Sequence, residues 1–142
     1  MGRSRGGLTT KIHALVDGNG LPIALKLTAG QAHDGRRATD MFDTLSDGDV
    51  ILADRAYDSD ALQIEMAARG VWANIKPMPN RKRRLVSSAF LYRYRNPVER
   101  FFSKLKRFRA VATRHDKRDD NVLASVQLVS IRIWLGHNES VA

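Results

Sequence analysis

The chain has 142 residues, 43% of them hydrophobic, which is enough for one globular domain with a core and excludes a disordered chain. It contains no cysteine, which excludes disulfides and thiolate zinc sites and fits a reducing cytoplasm; no signal peptide follows Met1, and no uncharged apolar run is long enough to span a bilayer. The net charge of +9 is concentrated in residues 76–118, where 15 Lys/Arg face only Glu99 and Asp116, so this basic block within the domain points to a polyanion partner rather than a membrane.

In chain order, residues 8–17 (LTTKIHALVD) alternate as a strand does. Asp17-Gly18-Asn19-Gly20 is a turn signal, and residues 21–28 (LPIALKLT) read as the second arm of a hairpin. A helix is expected from Asp34 or Gly35 to about Leu45. Val50-Ile51-Leu52-Ala53 reads as a buried strand that ends at Asp54. Asp58 or Ser59 would cap a helix through about Arg69, closed by Gly70. Val71 to Lys76 is another short strand, followed by a basic loop from Pro77 to about Ser88 that contains Asn80-Arg81-Lys82-Arg83-Arg84. Asn96-Pro97 reads as a helix start, with Val98, Phe101, Phe102, Leu105 and Phe108 recurring at helical spacing. A last amphipathic helix covers about Asn121 to Leu135, with a frayed tail. This order predicts an α/β fold in which a single mixed sheet is flanked by helices, with parallel pairing across the strand–helix–strand steps.

The segment YRYRNPVERFFSKLK sets Tyr92, Arg95, Glu99 and Lys106 at a Y-x2-R-x3-E-x6-K spacing. Glu99 and Lys106 are seven apart and share a helix face beside the apolar stripe. Asn96 to Glu99 also has the spacing of a capping box, in which Glu99 would only tie off the helix start. Asp54 closes an apolar strand, the end at which open α/β sheets bind ligands; a turn role is the alternative. Hard cations such as Mg²⁺ take oxygen ligands, and a two-metal phosphodiester site needs about three carboxylates. Asp54 and Glu99 are two candidates. A third is not evident, because Asp17 sits in the hairpin turn and Asp58 and Asp60 at a helix start. His13, His33, His115 and His137 show no metal-ligand spacing and read as structural.

On these residues the chain resembles the DDE transposases of bacterial insertion sequences, in the group with the Y-R-E-K signature. GRSRGGLTTKIHALVDGNGLPIALKLTAGQAHD, DVILADRAYDSDAL, YRYRNPVERFFSKLKRF and RHDKRDDN carry the likeness, which covers nearly the whole chain. The resemblance implies an RNase H-like fold and an enzyme that hydrolyses a phosphodiester at the element's end, then joins the freed 3′-hydroxyl to target DNA. It implies Asp54 and Glu99 as catalytic ligands of Mg²⁺, with Mn²⁺ as a substitute. Arg95 and Lys106 would hold DNA phosphates, and Tyr92 would position the backbone or terminal base. Arg81, Lys82, Arg83 and Arg84 would bind phosphates without reading sequence.

In that family the first catalytic Asp lies on a strand upstream of the GRSRGG segment. The expectation is therefore a single, N-terminally truncated catalytic domain over residues 1–142, lacking the first strand and needing an upstream transposase segment for activity. It would be either a downstream frame joined by frameshifting or a remnant. The alternatives are a catalytically incomplete DNA-binding fragment that regulates the full-length enzyme, and a metal-dependent nuclease. Expected partners are DNA and a second copy in a homodimer; the expected location is the cytoplasm, at the nucleoid.

Overall fold

The computed structural model describes residues 2–4, 7–30, 39–83, 86–108 and 119–141. Contacts group the chain into two compact units, residues 1–31 with 96–142, and residues 32–95.

The first unit is built on three antiparallel strands, β1 (Gly2–Ser4), β2 (Gly7–Val16) and β3 (Pro22–Ala29), paired in that order. The β2–β3 hairpin forms where the Asp-Gly-Asn-Gly signal predicts. Asp17 Oδ1 accepts from the backbone N–H of Asn19 and of Leu21, both at 2.9 Å, so Asp17 has the turn role expected of it. Gly20 takes φ +80°, and a Cβ there would meet Pro97 O at 3.0 Å. The turn thus needs glycine both for its backbone angle and for its close approach to Pro97. His13 is buried and bonds Thr28 Oγ1 at 2.7 Å through Nε2, consistent with a structural histidine.

Among the described residues two helices cover this sheet: α3 (Asn96–Lys106) packs on β2 and α4 (Asp119–Val141) on β3, and they also touch each other. Leu21, Phe101, Leu105, Val126, Val129 and Ile133 form the core, with Ile12, Val16, Leu25 and Phe102 packed against it. Phe101 and Leu105 are four residues apart, and so are Val129 and Ile133; each pair presents one apolar stripe. Trp134 Nε1 donates to Pro22 O at 2.9 Å and ties α4 to the start of β3.

In the second unit a 3-10 turn (Thr39–Thr44) buries Met41 and Phe42. Strand β4 (Val50–Ala53) leads through α1 (Asp60–Ala68) to β5 (Trp72–Ile75), and β4 and β5 pair in parallel with Leu52 opposite Asn74. A parallel pair needs such a crossover. Ser59 Oγ caps α1 through Leu62 N at 3.2 Å, and Gly70 at φ +70° closes it. Leu62 and Met66, one turn apart, are its buried face. Arg69 fastens the helix end to the 3-10 turn through Phe42 O at 2.9 Å and Asp43 at 3.1 Å. A short helix, α2 (Ala89–Tyr92), and a 3-10 turn (Arg93–Arg95) end the unit.

The mixed α/β character agrees with expectation, with several corrections. Among the described residues the strands pair as two separate sheets rather than one mixed sheet. Element order limits which strands can pair, but does not bring the hairpin's edge to the parallel pair. Strand β1 was not anticipated. Helix α3 starts at Asn96 as expected, but an unanticipated short helix already begins at Ala89, because Ser88 is itself a cap, its Oγ accepting from Leu91 N at 3.3 Å. Pro97 has no N–H to continue a ladder, and the residues before it tighten to the 3-10 turn. Helix α4 runs to Val141 rather than fraying after Leu135. Ser140 Oγ donates to Gly136 O at 2.8 Å within that extra length. The expected helix from Asp34 reduces to the 3-10 turn among described residues; residues 31–38 lie outside them.

Candidate active site

Asp54 follows the apolar run of β4 at its carboxyl end, with extended backbone angles of φ −68° and ψ 161°. The chain then turns through a 3-10 segment (Arg55–Tyr57), with Tyr57 N bonded to Asp54 O at 2.9 Å. Asp54 occupies the capping position of that turn, yet its side chain makes no capping bond. The carboxylate goes elsewhere. Tyr92 donates its phenolic O–H to Oδ1 at 2.9 Å, and Arg95 Nη1 donates to Oδ2 at 3.2 Å. The Arg95 guanidinium lies 5.3 Å from the Tyr92 ring centroid, within cation–π range. Three residues selected from the sequence thus meet, and the Asp54 side chain remains 53% exposed.

Tyr92 is held at this distance by a buried polar clasp. Asn74, in the middle of β5, is 1% exposed. Its Oδ1 accepts from Ser88 N at 2.7 Å and its Nδ2 donates to Ser88 O at 3.1 Å. Ser88 in turn caps α2, whose last residue is Tyr92. The β4–β5 pairing therefore sets Asp54 on one strand and, through Asn74 and Ser88, sets Tyr92 and Arg95 from the other. Sequence reasoning missed Asn74; the available signal was one amide among the apolar residues of Val71–Ile75.

The electrostatics follow from these contacts. Burial pushes the Tyr92 phenol above its ordinary value, and the bond to Asp54 and the charge on that carboxylate push the same way; Arg95 and Arg55 oppose them. Tyr92 is therefore a donor at neutral pH. An ionised carboxylate offers about four acceptor sites, so Asp54 keeps lone pairs beyond those used by Tyr92 and Arg95. A half-exposed carboxylate between a phenol and a guanidinium can receive a hard cation or a polar substrate group on its open side.

The transposase DDE-domain family matches residues 2–134. The chain belongs to that family. It is 37% identical over 129 residues to a Brucella ovis protein named as a transposase for insertion sequence element IS6501, covering 90% of this chain and 99% of that one. It is 31% identical over 129 residues to a Burkholderia cepacia protein named as a transposase for IS402, covering 83% of this chain but only 58% of the relative. No solved structure matches.

The remaining candidates of this transposase domain stand on other elements. Glu99 and Lys106 belong to the first unit, both exposed on α3, opposite the buried Phe101 and Leu105. Glu99 sits in the first turn, where the helix dipole favours a carboxylate. Arg81 is tied inward: Nη2 lies 2.6 Å from Asp60 Oδ1 and 3.4 Å from Asp58 Oδ1. Asp58, with a side chain only 1% exposed, also accepts from Met78 N at 2.7 Å. It therefore anchors the basic loop, and the cap of α1 falls to Ser59. Lys82 and Arg83 are exposed, and Arg84 lies outside the described residues. Among the described residues no three His, Asp or Glu side chains group as a metal site, and no helix is long and apolar enough to cross a membrane.

Proposed function

We propose that this transposase domain performs phosphodiester hydrolysis at the end of an insertion sequence and then strand transfer into target DNA. The observation that carries the reading is the Asp54 carboxylate at the end of β4, half exposed and engaged by Tyr92 and Arg95 rather than by its own turn. Its oxygen donors suit Mg²⁺ or Mn²⁺, which keep several waters and need few protein ligands. Asp54 and Glu99 would hold the metal, and a further carboxylate is proposed to come from a segment other than the described residues. Bound metal would supply charge at the attacking and leaving oxygens of the phosphodiester.

The chain's own residues do the rest. Tyr92 and Arg95 orient Asp54, and Arg95 and Lys106 meet DNA phosphates. Lys82 and Arg83 add phosphate contacts that carry no sequence information. Arg81 serves that surface by fixing the loop on Asp58 and Asp60.

The test is Mg²⁺-dependent cleavage of an insertion-sequence end, assayed for the chain alone and for the chain joined to an additional family strand carrying an Asp. Cleavage is expected in the joined form. Asp54→Asn and Glu99→Gln should each abolish it while DNA binding persists. Cleavage that survives both substitutions would overturn the site assignment.

A further inference from the structure

The turns that present Tyr92 and Arg95 to Asp54 carry a second pair of side chains on another side. Phe90 and Tyr94, four residues apart, stack edge to face with ring centroids 5.8 Å apart and planes at 70°. Both are open to solvent, at 64% and 61% exposure. Two positions separate Phe90 from Tyr92, so their side chains do not face the same way on the helix. An edge-to-face pair covers one face of one ring and leaves the other faces open. Single exposed apolar residues such as Ile64 are ordinary on a surface. A fixed aromatic pair with an exposed arginine, Arg93, within it is a different feature.

Charge selects the occupant. Phe90 and Tyr94 lie inside the stretch of residues 76–118 that carries 15 Lys/Arg against two acids. Aromatic faces amid cations bind unpaired nucleobases: the ring takes the base and the cations take the phosphates. We propose that Phe90 and Tyr94 form a stacking platform for one unpaired base of the strand whose phosphate meets Arg95. This deepens the transposition reading and rests on it. A helix is about 10 Å across, so the stacked base belongs to a neighbouring nucleotide rather than to the reacting one.

The experiment uses the full chain and two DNA probes at low salt, one duplex with a single unpaired 2-aminopurine and one fully paired. The unpaired probe is expected to bind about tenfold or more tightly than the paired one, with quenched fluorescence. Phe90→Leu and Tyr94→Ala should remove the preference and the quenching while leaving the salt dependence of binding unchanged. Equal binding of the two probes, or a preference that survives both substitutions, would overturn the platform and leave the phosphate contacts standing. Self-association that Phe90→Leu abolishes, without a base preference, would assign the pair to a contact between copies and also overturn it. Binding of neither probe would overturn the transposition reading and the platform together.

Discussion

Asn74 and Ser88 hold one another through both polar atoms of a single buried amide, one bond at 2.7 Å and one at 3.1 Å. Asn74→Ala leaves the backbone N–H and C=O of Ser88 without these partners. It should destabilise the chain by about 1–3 kcal/mol, the cost of an unsatisfied buried group. Because Ser88 caps the turn that carries Tyr92, the substitution should also lower the Tyr92 phenol pKa. Urea denaturation measures the first effect and a ¹³C-tyrosine titration the second. Ile75→Val, on the same strand but without bonds to Ser88, should weaken the fold by about 0.5–1.5 kcal/mol and leave the titration unchanged.

Tyr92 also links pH to stability. Its folded pKa lies above the ordinary value near 10. The resulting stability is fully present below the unfolded pKa and is lost as pH rises through the folded one. The wild-type chain should therefore lose stability between about pH 10 and the folded pKa. Tyr92→Phe should show a smaller loss over that range in denaturation curves taken at successive pH values. Equal losses in the two proteins would show that folding does not raise the Tyr92 pKa.

Asp54→Ala should be nearly silent for folding and severe for function. Its ion pair with Arg95 is half exposed, and pairs of that kind contribute about 0–1 kcal/mol. A melting temperature within a few degrees of wild type, with cleavage abolished in the assay above, is the expected pattern. A large fall in melting temperature would mark Asp54 as structural.

Gly20 and Gly18 lie in one turn and should respond differently to alanine. At Gly20 the new Cβ meets Pro97 O at 3.0 Å and the backbone has φ +80°. A non-glycine residue in such a conformation costs about 1–3 kcal/mol. At Gly18 nothing lies within 4 Å. Thermal unfolding should show a clear drop for Gly20→Ala and little change for Gly18→Ala.

Arg81 should behave unlike its neighbours in the basic loop. Lys82→Gln with Arg83→Gln should flatten the salt dependence of DNA binding, by about 0.9 in log K per log salt for each phosphate no longer neutralised. Arg81→Gln should instead free the loop from Asp58 and Asp60. Faster proteolysis between Met78 and Ser88 in that variant alone would show it.

Local signals in the sequence were strong where one residue type suffices to set geometry. Asp17 and Gly20 set a hairpin turn, Ser59 and Gly70 bounded a helix, and a four-residue apolar run ending in Asp54 was legible as a strand end. Tyr92 and Arg95 could be selected because their spacing is fixed within one segment. What escaped depends on partners distant in sequence. Asn74 meets Ser88 fourteen residues away, and Arg81 meets Asp60 across twenty-one. Strand β1 has the residues Gly-Arg-Ser, with no strand preference of its own, and forms because β2 offers it an edge. Propensity has no access to contacts of that kind.

The division between the two compact units falls between Arg95 and Asn96, inside the Y-x2-R-x3-E-x6-K spacing. Tyr92 and Arg95 are therefore positioned by one core, and Glu99 and Lys106 by the other. Only the number of residues between Arg95 and Glu99 relates these pairs along the chain. An alanine inserted after Arg95 would therefore lengthen the signature while leaving both cores with their full complement of side chains.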